Sequence, residues 1–295
     1  MKRPATGKST CIAILFLVVL IPAFGQDNQI RFDVSGSIDW ARGELYTQAS
    51  FDLAQAGLKL PSGRFMGEET LREASPRLIR PYLLALRVDS GSTIADLIDR
   101  GELSLGELDG LSLETGKTPP SLSADLTRMI GRYTVLIEQI SALLARHRQA
   151  AEPGRPLVPV QAADYTGIII IADEELPIHG RNTWALAAPC LFPKIWDTSM
   201  NLVYERNMTQ PGTPEVRYSS TDSIFRPTPS GLEGDLAALV GPNPLRILAR
   251  EIFGITPTDL VIDRDDALKI LSTDNNRRLL REGRVLLVLN GKMLK

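Results

Sequence analysis

The longest regular pattern of hydrophobic and polar positions lies in the middle of the chain. Between residues 123 and 147, apolar side chains recur at intervals of three and four, and charged side chains fill the opposite positions. This pattern is typical of an amphipathic helix and predicts one of about six or seven turns. Its wide apolar stripe favours packing on the protein's own sheet. Docking to a partner helix or a coiled coil is the alternative, although the pattern spans only about three heptads.

The segment before this pattern predicts a small antiparallel element. Residues 29–34, 37–40 and 44–52 have the composition of strands, and glycine-containing turns at Gly36 and Gly43 separate them. Short strands joined by glycine turns indicate antiparallel pairing.

Helical patterns follow these strands. One begins at Glu68 and contains Pro76 and Pro81. Because proline removes a helical hydrogen bond and clashes with the preceding turn, we expect this segment to divide into short helices. A further helix of two turns is predicted between Thr93, a good N-cap residue, and Gly101, which suits the end of a helix.

The C-terminal half contains two uninterrupted apolar runs. Residues 165–172 and 284–289 are rich in isoleucine, valine and leucine and lack polar alternation, as strands covered on both faces do. We expect them to be central neighbours in one sheet. Residues 191–196 and 201–205 flank a turn-rich segment, which indicates a hairpin.

A stretch rich in proline and glycine separates the two halves and predicts a linker. The expected organisation is a signal peptide over 1–25, an N-terminal α+β region over 26–150 that ends in the long helix, a linker over 151–163, and a C-terminal α+β module over 164–295. The predicted fold class is α+β, with a mixed sheet and packed helices.

The N-terminus has the layout of a secretory signal peptide. Basic residues precede a short apolar core that ends before Ala23 and Gly25, where small residues suit the signal peptidase. The core is about 14 residues long and a membrane-spanning helix needs about 20, so cleavage near Gly25 and a periplasmic location are expected. A retained single-pass anchor is the alternative.

Composition limits the possible chemistry. The formal net charge is −2, with 33 basic and 35 acidic residues, so no strong positive field attracts nucleic acid. Cys190 is the one cysteine outside the signal peptide and is expected to be a buried small side chain. With only His147 and His179 besides, a His/Cys zinc site cannot be assembled.

Candidate catalytic groups are sparse, and we expect no enzyme activity, cofactor or metal. A dyad of Cys190 and His179 lacks an orienting group. The acidic cluster at Asp263, Asp265 and Asp266 does not match the calcium-loop spacing and suits a helix start better. The run of acids at 173–175 suits a solvated turn better than a pair of glycosidase carboxylates.

Three aromatic residues are the candidate binding residues. Trp184, Trp196 and Tyr204 lie close together in the sequence and would form a stacking surface for a glycan or a small molecule. Aromatic side chains at such positions also fill protein cores, which is the alternative.

The C-terminal half resembles a family of exported bacterial envelope proteins over residues 165–290. The family includes lipoproteins of the LPP-twenty type and the N-terminal region of flagellar assembly protein T. The motifs that carry the resemblance are Tyr165-Thr166-Gly167-Ile168-Ile169-Ile170, Leu191-Phe192-Pro193-Lys194-Ile195-Trp196-Asp197, Val203-Tyr204, Val216-Arg217-Tyr218, Val240-Gly241-Pro242-Asn243-Pro244-Leu245, Thr258-Asp259-Leu260-Val261-Ile262, Asp265-Asp266-Ala267 and Leu280-Arg281-Glu282-Gly283-Arg284-Val285.

The N-terminal half resembles the start of the same module at Trp40, Gly43-Glu44-Leu45, Val88-Asp89 and Thr93-Ile94. There, the resemblance implies a strand where the periodicity predicts the long helix. It also implies an α+β module without catalytic residues or cofactor that acts by contact with envelope or flagellar basal-body proteins. The sequence therefore predicts a non-enzymatic envelope protein that acts by protein contact in flagellar or envelope assembly. The alternative is a periplasmic glycan- or small-molecule-binding module, and an envelope hydrolase is the third hypothesis.

Overall fold

The computed structural model describes residues 30–114, 116–213, 216–224 and 234–295, and these form separate antiparallel and parallel sheets with helices packed against them. The prediction of an α+β fold is confirmed. The predicted signal peptide and its cleavage site lie outside the described residues. Within the described ranges, no helix is both long enough and apolar enough to cross a bilayer.

The N-terminal half is an antiparallel sheet with helices on one side. The sheet has the order β1-β2-β4-β3. Its strands are β1 (Asp33–Asp39), β2 (Glu44–Asp52), β3 (Gly116–Leu122) and β4 (Arg128–Leu136), and its helices are α1 (Gly63–Leu84), α2 (Ile94–Asp99), α3 (Leu105–Glu114) and α4 (Ile137–Leu144). Helix α1 contacts every strand of the sheet. The predicted helix after Thr93 is confirmed as α2, where Thr93 and Asp96 form a reciprocal capping box.

The prediction of a long helix over 123–147 is wrong. Its first part is the turn before β4 and β4 itself, and only the part that forms α4 is helical. Burial alternates along β4, with buried Met129, Tyr133 and Val135 on one face. The segment satisfies helical and strand spacing at once. Its glycine, β-branched and aromatic residues favour the strand, and pairing with both β2 and β3 decides the outcome.

The prediction that prolines divide the helical segment that begins at Glu68 is also wrong, because α1 continues through Pro76 and Pro81. Pro76 cannot donate to the carbonyl of Arg72, and the hydroxyl of Ser75 donates to that carbonyl instead, at 2.9 Å. The buried face of α1, which includes Leu71 and Ile79, packs on the sheet. Tertiary packing thus offsets the cost of the prolines.

The two predicted glycine turns have different outcomes. Gly43 has a φ of +68° and connects β1 to β2, as predicted. Gly36 lies inside β1 and is not a turn. A Cβ atom there would lie 2.5 Å from the ring of Tyr82, so glycine is needed for the close approach of α1 to the edge strand.

The C-terminal half contains a parallel sheet, a mixed sheet and a two-stranded ribbon. The sheet orders are β10-β14-β5-β11, β12-β13-β8-β9 and β6-β7. The strands are β5 (Ile168–Ala172), β6 (Leu176–Pro177), β7 (Trp184–Ala185), β8 (Ile195–Asp197), β9 (Leu202–Tyr204), β10 (Arg217–Ser220), β11 (Leu245–Leu248), β12 (Glu251–Phe253), β13 (Asp259–Ile262) and β14 (Val285–Leu289), and the helices are α5 (Thr221–Ile224), α6 (Gly234–Val240), α7 (Arg264–Leu271) and α8 (Asp274–Arg281).

The predicted pair of central strands is confirmed. Strands β5 and β14 are parallel neighbours in the middle of their sheet, and nearly all their side chains are buried. The predicted hairpin is also confirmed, since β8 pairs antiparallel with β9.

The two halves of the chain share one hydrophobic core. A single cluster of buried side chains includes Leu45 of β2 and Leu287 of β14. Backbone hydrogen bonds join the halves, from Trp40 to the carbonyl of Leu294 and from Leu191 to the carbonyl of Arg87, each 2.9 Å long. The linker over 151–163 stays a prediction, but the regions on either side of it pack together without an intervening layer of solvent.

Candidate functional site

The structure does not bring the three predicted aromatic residues to one surface. Tyr204 is 1% exposed and belongs to the core. Trp196 is half-buried, and its ring packs edge-on against Phe253. Only Trp184, which is 65% exposed, presents its side chain to solvent. A shared stacking surface is therefore not formed, because Tyr204 is buried in the core together with its neighbour Val203.

A buried carboxylate lies beside Trp196 instead. Asp259 begins β13 and is 1% exposed. Its carboxylate accepts hydrogen bonds from the indole N–H of Trp196 at 3.1 Å, the hydroxyl of Thr258 at 3.1 Å and the backbone N–H of Lys194 at 3.3 Å. Burial raises the pKa of the Asp259 carboxyl, and these hydrogen bonds oppose the shift. Sequence reasoning missed this group, although a carboxylate that opens a wholly apolar strand is a signal of it.

Cys190 is buried beside the same region. It is 0% exposed, and burial raises the pKa of its thiol to about 12. The hydroxyl of Tyr218 donates to the carbonyl of Cys190 at 2.8 Å and accepts from its N–H at 3.2 Å. The interpretation of Cys190 as a buried small side chain is confirmed.

The other half of the proposed dyad has a different partner. The Nδ1 atom of His179 lies 2.6 Å from a carboxylate oxygen of Glu251 on β12. A protonated thiol without solvent access is a poor nucleophile, so the arrangement does not support a Cys190–His179 hydrolase.

The acidic cluster at the start of α7 is held by basic side chains. Asp263 occupies the N-cap position but makes no capping bond with its side chain, which pairs with Arg250 at 2.6 Å. Asp266, in the first turn, pairs with Lys269 at 2.7 Å. Across the described residues, no group of three or more histidine, cysteine or acidic side chains is arranged to hold a metal ion.

Among the clefts on the surface of the described residues, two are lined mainly by charged side chains. The larger, of about 580 Å³, lies between α8 and the start of the linker, and we call it the arginine groove. Its charged lining consists of Glu152, Arg155, Asp274, Arg277, Arg278 and Arg281. The smaller, of about 220 Å³, lies where the halves meet and is lined by residues of both, among them Arg100, Phe192 and Arg206.

Strand β11 provides an exposed apolar position at the edge of the parallel sheet. Leu245 and Ile247 face the core, whereas Leu248 is 64% exposed. In the register, Leu248 lies beside Ile171 of β5, which is half-buried. The outer face of the sheet is thus apolar up to its edge at this register position, whereas Arg246 lies on the same face two residues earlier.

Comparison with known families matches the two halves separately. Residues 31–143 match the family of the N-terminal domain of Treponema pallidum Tp0624, and residues 167–291 match the family of its second domain. No curated protein matches the chain. Neither match concerns LPP-twenty lipoproteins or flagellar assembly protein T, so that resemblance stays a prediction. The chain is therefore similar, in two consecutive stretches, to the N-terminal and second domains of Treponema pallidum Tp0624.

Proposed function

We propose that the protein is exported to the bacterial cell envelope and acts there by contact with another protein, in the assembly of an envelope structure. The signal-like N-terminus supports the location, and the resemblance to envelope proteins supports the mode of action. The observation that carries the proposal is the exposed edge of the parallel sheet at β11. The proposed occupant is an extended segment of another envelope protein.

The geometry of β11 suits the addition of a strand. The N–H groups of Leu245 and Ala249 point toward β5. They donate to the carbonyls of Gly167 and Ile171, at 2.9 and 2.8 Å respectively. Since N–H groups alternate along a strand, those of Arg246 and Leu248 point away from the sheet. A partner strand would pair with these groups and extend the sheet.

The outer face offers apolar surface to the same partner. Helix α6 contacts β14, and its Val240 packs with Ile169, Leu286 and Val288. Leu248 remains exposed beyond this cover. Side chains of an added strand would pack against Leu248 and bury it.

Site-specific photo-crosslinking tests the contact. A photoreactive residue replaces Leu248 in the full chain, and crosslinks are recovered from the envelope fraction of the native host and identified by mass spectrometry. The matched control carries the same group at Ile255, which is 76% exposed and apolar. We expect a discrete protein adduct from position 248 and not from position 255.

A charged substitution at position 248 tests whether the partner binds by pairing with the edge of β11. Lysine at a sheet edge opposes strand pairing, so Leu248→Lys should abolish co-purification of the crosslinked partner, whereas Ile255→Lys should not. Equal recovery with both variants, or recovery of the protein alone, would contradict contact through β11. Export is tested separately by the N-terminal residue of the protein in the envelope fraction, which we expect to be Gln26.

A further inference from the structure

A loop in the linker exposes an unusual amount of apolar surface. Leu157 is fully exposed, Val158 is 77% exposed and Val160 is 37% exposed. Single exposed apolar residues are ordinary on protein surfaces, but here three of them lie within four residues. We call residues 156–160 the apolar loop.

The apolar loop is held in place at both ends. The side chain of Arg155 lies 3.4 Å from the carboxylate of Asp274. The backbone N–H of Val160 donates to the hydroxyl of Ser272 at 2.9 Å, and Asn276 donates to the carbonyl of Ala163 at 3.0 Å. These contacts fasten the loop to the region around α8, so its tip is directed outward and does not fold onto the core.

The arginine groove adjoins the loop, since Glu152 and Arg155 belong to both the groove lining and the linker. The groove contains four arginines against two carboxylates, which gives it an excess of two positive charges. Arg281 pairs with Glu152 at 2.9 Å, yet its buried Nε atom has no hydrogen-bond partner.

Two guanidinium groups remain accessible at the mouth of the groove. The side chains of Arg155 and Arg278 are 75% and 60% exposed, and each has one long ion pair, with Asp274 at 3.4 Å and with Glu282 at 3.6 Å. Guanidinium groups bind phosphate oxygens with paired, charge-assisted hydrogen bonds. An excess of accessible arginine beside an outward apolar tip fits a surface that is anionic at its phosphates and apolar just beneath them.

We propose that the apolar loop and the arginine groove dock the protein on an anionic phospholipid bilayer. The side chains of Leu157 and Val158 enter the boundary between headgroups and acyl chains, and Arg155 and Arg278 bind the lipid phosphates. This inference goes beyond the contact at β11 and concerns different residues.

Vesicle co-sedimentation tests the proposal with the chain from Gln26 onward. We expect binding to vesicles of equal parts phosphatidylcholine and phosphatidylglycerol, little binding to phosphatidylcholine alone, and weakening by salt. Replacing Leu157 and Val158 together by serine should reduce binding by at least about tenfold, and each of Arg155→Gln and Arg278→Gln by about fivefold. The matched controls, Ile255→Ser and Arg64→Gln, change residues that are equally exposed elsewhere and should bind normally.

A fluorescent label reports insertion of the loop directly. Because Cys190 is buried, the variant Leu157→Cys offers a single reactive thiol for an environment-sensitive dye. We expect a blue shift on anionic vesicles for this variant and none for Ile255→Cys. No binding to anionic vesicles, binding that survives the loop variant, or the same shift at both positions would overturn the proposal. Each of these results leaves the crosslinking at Leu248 unaffected, so the two proposals fail separately.

Discussion

The sheets of the two halves are buried in different ways. In the N-terminal sheet, buried positions of β4 alternate with half-buried or exposed ones, because α1 covers one face. In the C-terminal parallel sheet, every residue of β14 is buried, because the shared core covers one face and α6 covers the other. One-sided burial produces alternation, and two-sided burial produces a continuous apolar run.

Each half also depends on a glycine that allows a helix to pack closely against a strand. Gly36 allows Tyr82 of α1 to pack on β1, and Gly167 allows Val240 of α6 to pack before β5. In the N-terminal half the neighbour is an aromatic ring. In the C-terminal half it is the backbone itself, which cannot rotate away.

Deleting side chains from the shared core should have the largest effect. Leu287→Ala in β14 and Leu45→Ala in β2 each remove a side chain that is at most 1% exposed and should lower the free energy of unfolding by about 2–5 kcal/mol. Because both residues belong to one cluster, each variant should shift a single transition in urea, followed by far-UV circular dichroism and tryptophan fluorescence.

Leu248→Ala is the control, since the exposed side chain should change stability by no more than about 0.5 kcal/mol. Two separate transitions, each moved by only one of the core variants, would show that the halves unfold independently.

Adding a methyl group at the two close approaches should have a smaller effect. A Cβ at residue 167 would lie 2.4 Å from the Cα of Val240, and one at residue 36 would lie 2.5 Å from the ring of Tyr82. Overpacking costs about 1–3 kcal/mol, and we expect Gly167→Ala near the upper end because backbone must move. Adding Tyr82→Ala to Gly36→Ala should recover part of the stability that Gly36→Ala loses, as thermal unfolding would show. Equal losses at the two sites would argue against the distinction between ring and backbone.

The smallest expected effect is a pH dependence from the buried carboxylate of the C-terminal half. The pKa of Asp259 is raised above its usual 3.8 in the folded protein, so the folded state holds this proton more tightly than the unfolded state. The stabilisation is fully present below pH 3.8 and is lost as pH rises through the folded pKa. The stability difference between the wild type and Asp259→Asn should therefore shift against the wild type as pH rises. A stability difference between the two proteins that does not change as pH rises from 3.8 would contradict the raised pKa.

Some elements were predictable because a single physical cause set their pattern. The runs that form β5 and β14 have no helical period and no polar alternation, which leaves a strand covered on both faces. Thr93 and Gly101 marked α2 through local capping alone. The segment that became β4 was ambiguous, because Met129 and Tyr133, four residues apart, share one face in a helix and also in a strand. Its neighbours in the sheet come from distant parts of the chain.

The candidate sites were less predictable than the fold. Neighbours in sequence suggested a shared surface for Trp184, Trp196 and Tyr204, but exposure depends on which face of a strand meets the core. The partner of Trp196, Asp259, lies 63 residues away. The arginine groove likewise joins the linker to α8, which no local pattern connects.

By itself, the sequence determined the α+β class, the two central neighbouring strands, the hairpin and the short capped helix, since these follow from local spacing and propensity. Only the tertiary structure decided that residues 128–136 pair as a strand, that α1 runs through two prolines, and that the apolar loop stands beside the arginines of α8. Each of these depends on contacts between distant segments, whose packing and hydrogen bonds outweigh local preference.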